Sequence, residues 1–537
     1  MSKQKNKISK DSRAAEQPQS VADKGQRYWH LPRVNMLVVF FLAAWVWASV
    51  YYGVVFRICR EYSFWVANPD QMFFVLNQPG GLLWYVGRML LQPFYHPWMG
   101  GLLLAVLLTV GSWFCGYLLR LRGRWQWLQF VPAGICVLAF TYLGMDLFFE
   151  AETGRIMGIP AAVFVCLLVV AVAFRLVSRK PLPAFFVAPE GQTWKQWSGQ
   201  LLAVALIFVC SIGFGESRRP YVRIISQLME AQYRQDWGTI QRVARKNAEV
   251  SNRPIAAYYA MALVHTDQIC DRLYDIRLEF DTMYVHGMDG LQNTAVSLYI
   301  PEGSYHGGFM LTCLHQCMEQ MVMTGPTVRL LHLMVKSALM RGEWELAEKY
   351  LRVLRDVPFE KSFCQKYGAM VRHPELVDAD SEMFKIRMTE PLRDSFESQY
   401  QQPTFLGYNL SLVEGRSLNA LYNSLAVCLY TKLMPDFSAR INPLQGSTTP
   451  ENVADGILLA SNNFPGIEQG FANLNLRLPR LQAFMNAIQP YMSDRAGHAK
   501  ELFPRYKGYY PYYYFFGNLR ATSSKQKGNM SSNSGVN

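Results

Sequence analysis

The sequence predicts an all-α protein in two parts: an N-terminal multispan transmembrane helix bundle and, after it, a soluble α-helical repeat domain. Three observations predict it. The first 214 residues are dominated by apolar runs, beginning with the uncharged VNMLVVFFLAAWVWASVYYGVVF of Val34 to Phe56; a helix rises about 1.5 Å per residue, so about 20 such residues cross a ~30 Å hydrocarbon core. From residue 215 onward, helix-period patterns alternate with short polar turns. The formal charge of +13 is concentrated in the N-terminal tail and in short loops between apolar runs. That is the distribution of membrane topology rather than of a nucleic-acid surface.

In chain order, residues 1–33 carry Lys3, Lys5, Lys7, Lys10, Arg13, Lys24, Arg27 and Arg33 against Asp11, Glu16 and Asp23, and read as a disordered basic tail. A cleavable signal peptide competes for this region, but the apolar run is longer than a signal's core and no small-x-small cleavage site follows, so a retained anchor is expected. The transmembrane domain is placed at 34–214, with spans at about 34–56, 98–119, 127–149, 155–177 and 197–214. Between the first two, GGLLWYVGRMLLQPFYHPW is apolar and aromatic around Arg88. It suits an interfacial helix at about 80–95, with a short re-entrant helix as the alternative. Five crossings put the chain ends on opposite sides. The basic tail, the Arg120/Arg122/Arg124 loop and the Arg175/Arg179/Lys180/Lys195 loop are then cytoplasmic and the C-terminal domain extracytoplasmic, as in a multi-pass protein of a bacterial inner membrane. Arg218, Arg219 and Arg223 weigh against that direction, although large domains translocate largely regardless of charge.

In the helical-repeat domain, 215–517, the clearest unit is TVRLLHLMVKSALMRGEWELAEKYLRVLRDVP at 327–358. Gly342 ends one helix, Trp344 and Ala347 pack the next against it, and Pro358 stops it. This resembles a tetratricopeptide repeat, except that bulky residues stand at the helix crossing of the first helix. RQDWGTIQRVA echoes it, with Trp237 standing 107 residues before Trp344. Residues 281–309 are expected to form a loop, 440–455 and 461–470 connections, and 309–323, 416–434 and 477–490 helices. The polar 518–537 end reads as a disordered tail.

The combination of GGLLWYVGRMLLQPFY, LNALYNSLAVCLYTKLMPDF and YYPYYYFF resembles an uncharacterised family of Bacteroidetes-type polytopic membrane proteins with a tetratricopeptide-like C-terminal half. The resemblance covers most of the chain. It implies the architecture and no reaction.

Candidate chemistry is sparse. Glu61 and Asp70 in the first outer loop, and Asp146, Glu150 and Glu152 in the second, are carboxylates placed where desolvation or a neighbour tunes a base or ligand. The arrangement resembles polyprenyl-phosphate-dependent membrane glycosyltransferases, which carry an acidic residue in a long first outer loop before an interfacial helix. It departs from them in having fewer spans and no Asp-Glu or Asp-x-Asp pair there; ordinary polar residues at span ends are the plainer explanation. Cys313 and Cys317 in LTCLHQCMEQM share a helix face that His315 does not, a poor zinc geometry. Of the ten cysteines, Cys115, Cys136, Cys166 and Cys210 lie in apolar runs and five belong to the repeat domain, so no disulfide framework is required. Tyr509 to Phe516 form an aromatic cluster, either a ligand platform or a packing cap on the helical array. No phosphate-binding loop, nucleophile elbow or metalloprotease pattern is present, and no cofactor, metal or nucleic acid is expected. The expected role is that of a non-enzymatic envelope scaffold on the lipid bilayer whose repeat domain binds protein partners. The alternative is a minimal polyprenyl-phosphate-dependent glycosyltransferase using a polyprenyl lipid. Transport would need intramembrane charge that the spans almost lack.

Overall fold

The computed structural model describes residues 36–118, 121, 123–145, 154–178, 194–218, 221–280, 299–392, 394, 417–472 and 474–517, and among them it is helical with no strand. The tails expected at 1–33 and 518–537 lie outside these residues.

The first apolar run is not one straight span. It forms α1 (Met36–Val46), a π-helical turn over Trp47–Tyr51, and α2 (Gly53–Glu61), bent by 59°. The bend has a local cause. A π-turn widens the helix by a residue, and Gly53 sits where a Cβ would come within 3.0 Å of the Pro97 Cβ and 3.1 Å of the Ala48 carbonyl oxygen. A correction to the expected boundary follows, because helix continues beyond Phe56 and carries Arg57, Arg60 and Glu61, all buried.

After α3 (Pro69–Leu76) comes α4 (Gly81–Leu91), matching the helix expected at 80–95 and continued by a 3₁₀ turn over Gln92–Tyr95. Next are α5 (Pro97–Leu118), α6 (Val131–Met145, led in by a 3₁₀ stretch), α7 (Arg155–Ser178) and α8 (Trp194–Arg218). α4 lies against α7, α1 against α5, and α6 against α8. The α4–α7 contact depends on glycine: a Cβ on Gly87 would run into the backbone at Gly154 and Gly158, and one on Gly158 into the Leu83 carbonyl. Small residues four apart let two backbones touch, the packing mode of helices that gain little from burial in lipid.

Five spans were expected. Among the described residues two helices are long and apolar enough to cross a membrane, Pro97–Leu118 and Trp197–Ser217, and a third is counted if the bent pair is one span; Trp125–Thr141 is a shorter apolar helix. The expected 127–149 span is helical as far as Met145, and its last residues, 146–149, lie outside the described residues. The expected 155–177 segment is helical throughout in α7, with Pro160 inside it.

The remaining helices are α9 (Tyr221–Tyr233), α10 (Trp237–Lys246), α11 (Arg253–His265), α12 (Ile269–Arg272), α13 (Ile300–His306), α14 (Met310–Thr324), α15 (Val328–Met340), α16 (Trp344–Arg355), α17 (Lys361–Arg372), α18 (Glu375–Ala379) and α19 (Ser381–Arg387). They continue with α20 (Leu418–Thr431), α21 (Met434–Arg440), α22 (Glu451–Ala460), α23 (Leu474–Ile488), α24 (Arg495–Tyr506) and α25 (Tyr510–Phe516). Two expected connections contain helices. α13 occupies the end of the 281–309 loop, with Pro301 fixing φ in its first turn, and α22 begins inside 440–455 directly after Pro450, its N-cap.

Neighbours in sequence pack as neighbours in space from α13 through α19, in the manner of a stacked helical array. These helices share one core, which also takes in Phe64 and Val66 from the segment after α2. α9 to α12 and α20 to α25 share another, continuous with the apolar bundle. The tyrosine-rich α25 belongs to this second core: Tyr510, Tyr512 and Tyr513 are buried, and the rings of Tyr510 and Tyr513 pack on Tyr274. Their hydroxyls donate to the carbonyls of Leu429, Ala499 and Tyr430, so each ring is buried without an orphaned polar end.

Candidate functional site

The last turn of α2 brings three charges to the place where the apolar bundle meets the helical array. Arg60, fully buried, reaches Glu61 at 3.1 Å and Glu360 at 2.6 Å, donates to the Pro358 carbonyl at 2.6 Å, and lies over the Tyr95 ring at 5.1 Å. The far oxygen of Glu360 is 2.7 Å from His332 Nε2. The His332 ring in turn stacks on Phe363 at 3.7 Å. Burial by itself raises the Glu360 carboxyl; the His332 hydrogen bond and charge, together with Arg60, outweigh it and bring it down to about 2. Arg57 pairs with Glu230 at 2.7 Å and is flanked by Tyr95 and Tyr233.

Behind this group runs a hydrogen-bonded chain. Arg329 pairs with buried Glu302 and donates to Gln232 Oε1 at 2.9 Å. Gln232 Nε2 meets His306 Nε2 at 2.8 Å, and His306 Nδ1 meets His265 Nε2 at 2.8 Å. The guanidinium fixes the direction. Because Gln232 must turn its oxygen to Arg329, its amide donates to His306; His306 then carries its proton on Nδ1 and donates to His265, whose own proton sits on Nδ1. Burial, and then the Lys385 and Lys336 charges, brings His265 down to about 3, and burial with His265 beside it drives His306 well down too. Both imidazoles are therefore neutral at physiological pH. Trp237 stacks on His265 at 4.0 Å. Lys336 holds both Glu382 oxygens at 3.0 Å.

Of the carboxylates singled out in the sequence, Glu61 lies in this network, buried against Arg60. Asp70 is elsewhere, exposed in the first turn of α3, its backbone N–H capped by the Asn68 side chain at 2.9 Å. Asp146, Glu150 and Glu152 lie outside the described residues. Cys313 and Cys317 are buried on one face of α14, while His315 faces out and meets Glu319 at 3.1 Å. Among the described residues no group of three or more His, Cys, Asp or Glu side chains is placed to hold a metal.

Sequence reasoning missed Arg60, Glu302, Arg329, His332 and Glu360. One signal was available. Arg329, His332 and Lys336 fall at i, i+3 and i+7 of the otherwise apolar VRLLHLMVKSALM, so a helix buried nearly all round must bury polar groups and find them partners. In the apolar bundle, helices α4 to α7 enclose a cavity of about 200 Å³ lined by side chains such as Val86, Leu90, Leu104, Leu108, Phe140 and Met157. Its walls suit hydrocarbon.

Residues 27–189 and 155–517 match the model of a family of unknown function (DUF6057). The chain belongs to that family. No curated protein and no solved structure matches it. Family membership spans both the apolar bundle and the helical array, and the charged junction between them lies within the matched residues.

Proposed function

We propose that this family member is a multi-pass protein of a bacterial inner membrane. In this reading a five-span anchor over 34–214, with an interfacial α4, carries a tetratricopeptide-like domain over 215–517, and that domain holds protein partners of the envelope as a non-enzymatic scaffold. The N-terminus is cytoplasmic and the array extracytoplasmic. The observation that carries the reading is the buried ion-pair group of Arg60, Glu61, Glu360 and His332. It ties the end of the first apolar helix to the α15–α17 region, making the array a rigid extension of its anchor rather than a tethered domain. Stacked helical repeats usually recruit proteins.

A second reading is favoured by one observation. The apolar cavity between α4 and α7 is walled for a hydrocarbon chain, as a polyprenyl-phosphate-dependent glycosyltransferase would need, with Glu61, Asp70, Asp146 and Glu150 as its candidate carboxylates. Reporter fusions active only outside the cytoplasm, placed after Leu519 and after Arg122, test the common ground. The first is expected to be active and the second silent; a silent C-terminal fusion removes both readings. In-cell crosslinking from the array, followed by native mass spectrometry of the detergent-purified protein, separates them. Stoichiometric protein adducts support the scaffold, and a retained polyprenyl lipid lost on widening Leu104 to Trp supports the transferase.

A further inference from the structure

At the far end of the chain, a cavity of about 290 Å³ opens between α23 and the end of α24. One helix face supplies Arg480 and Phe484 to it, with Ala483 and Ala487 leaving the room, and the other wall is Arg505, Tyr506, Lys507 and Tyr509. Three of these side chains are cationic and none is acidic. None of the three cations has a carboxylate ion-pair partner among the described residues. Two carboxylates lie nearby: Asp455 is engaged by Arg477 at 2.8 and 3.1 Å, and Asp275, which accepts from the Tyr259 hydroxyl at 3.3 Å, is within electrostatic reach of Lys507 and Arg245.

The cations are held rather than loose. The Arg480 guanidinium lies 4.2 Å above the Tyr509 ring and that of Arg505 5.3 Å above Tyr506. Those two rings are themselves fixed edge-on against Phe484, at 5.3 and 4.9 Å with interplanar angles of 85° and 83°. Gly508, between them, is pinned to the core by its N–H, which donates to the Tyr274 carbonyl at 3.0 Å. A guanidinium stacked on a ring keeps its five N–H groups in plane and directed outward, ready for a bidentate oxyanion, and its ordering cost is already met. Tyr509 is only 3 % exposed, yet its hydroxyl has no hydrogen-bond partner among the described residues. A buried hydroxyl left so is a donor awaiting an acceptor.

We propose that this cavity is a binding site for a phosphate group, free or carried as a phosphoester on a small polar moiety, clasped by Arg480 and Arg505 and neutralised by Lys507. Phosphate matches planar bidentate donors and a cluster of three positive charges better than a monovalent carboxylate does. The site is independent of which side of a membrane the array faces.

The test uses the full chain in a neutral maltoside detergent, titrated with inorganic phosphate at constant ionic strength set by chloride, and followed by thermal unfolding and calorimetry. Saturable stabilisation is expected. Arg480→Lys, which keeps the charge and loses the fork, is expected to weaken binding about tenfold, and Arg480→Gln with Arg505→Gln to abolish it. Arg355→Gln with Lys361→Gln, at a separate basic surface, should leave it unchanged. If the double variant does not fold, Lys507→Gln alone must weaken binding several-fold. Competition by phosphatidylglycerol vesicles, with none by phosphatidylcholine vesicles, assigns the phosphate to a lipid headgroup; competition by glycerol phosphate alone assigns it to a soluble ester. Absence of saturable stabilisation, or binding unchanged in the Arg480 and Lys507 variants, overturns the proposal.

Discussion

At Arg234-Gln235-Asp236-Trp237, and again 107 residues later at Arg341-Gly342-Glu343-Trp344, a helix ends, one residue turns left-handed and a new helix begins on tryptophan. The hydrogen bonds correspond one for one. Asp236 N donates to Ala231 O at 2.8 Å and Glu343 N to Ala338 O at 2.9 Å, while the residue before each closes the shorter bond, at 2.9 and 3.0 Å. Both are Schellman closures. Their surroundings differ. In the later turn the left-handed residue is Gly342, with φ 73°, Glu343 pairs with Arg341 at the surface, and Trp344 borders its core. In the earlier turn it is Gln235, with φ 58°, whose amide donates to Glu382 at 2.7 Å, Asp236 caps Thr239 at 3.0 Å, and Trp237 covers His265.

The difference teaches how this chain spends local strain. A non-glycine residue at positive φ is disfavoured by about 1 kcal/mol, and each of the four that adopt it among the described residues has a side chain tied to a distant segment. Gln235 reaches Glu382, Asp267 meets Lys385 at 2.6 Å, Lys432 donates to the Gly517 carbonyl at 2.7 Å, and Phe359 stacks on Tyr95 at 5.2 Å. Two of these ties converge on α19. The same turn therefore serves as a plain connection at Gly342 and as a clamp at Gln235.

The largest effect is expected behind the later turn, where the charges carry more energy than the turn itself. Glu360→Ala leaves Arg60 buried without its closest carboxylate and is expected to cost about 3–5 kcal/mol, read as a fall in the unfolding midpoint in detergent. Arg60→Met combined with Glu61→Gln and Glu360→Leu should recover most of it, since all three buried charges of the group are then removed together and no carboxylate is left without its cation.

Acid sharpens the contrast, because the earlier turn rests on neutral imidazoles. His265 titrates at about 3 in the fold against an ordinary 6.5. Below pH 6.5 the unfolded chain binds a proton that the folded chain refuses, so stability falls as pH drops from about 6.5 toward 3, by up to about 1.4 kcal/mol per pH unit from this group. Glu360, lowered to about 2 from 4.5, adds a second loss as pH falls through that interval. His265→Phe should shrink the upper part of the acid limb, leaving there the share of His306, which burial also holds well down, and leaving the lower part that Glu360 contributes; a midpoint flat from pH 7 to 5 in the unaltered protein would contradict the neutral-imidazole assignment.

Gly342→Ala, which forces a Cβ into φ 73° for no more than a van der Waals contact with the Trp344 ring at 3.7 Å, is expected to cost about 1–2 kcal/mol. The smallest change is expected from Gln235→Gly. Relief of strain and loss of the bond to Glu382 oppose each other, and the net effect should stay within about 1 kcal/mol. If Gln235→Gly is instead as costly as Gly342→Ala is destabilising, the tie to Glu382 outweighs the strain, and the clamp is the dominant role of that turn.

Helix identity was legible wherever periodicity ran uninterrupted. α5 and α8 match the expected 98–119 and 197–214 segments, and α14, α20 and α23 fall where helices were drawn. The repeated tryptophan turn was visible as a spacing. The bend after α1 was hidden because Val34 to Phe56 is uniformly apolar, and a π-turn leaves no mark on hydropathy. α13 was hidden by the glycines of PEGSYHGG, which read as loop while the proline beside them starts a helix. Glu61 was chosen for its place near a span end; its role as a partner of Arg60 needed the fold.

By itself, then, the sequence determined an apolar anchor, a helical remainder and the positions of its turns, because hydrophobic periodicity, proline and positive-φ residues act over a few residues. Only the tertiary structure decided which charges meet. Arg60 and Glu360 are 300 residues apart and belong to no motif; they pair because α2 bends at Gly53 and ends where α15 and α17 pack. An ion pair buried out of water is set by three-dimensional proximity, which no local pattern encodes.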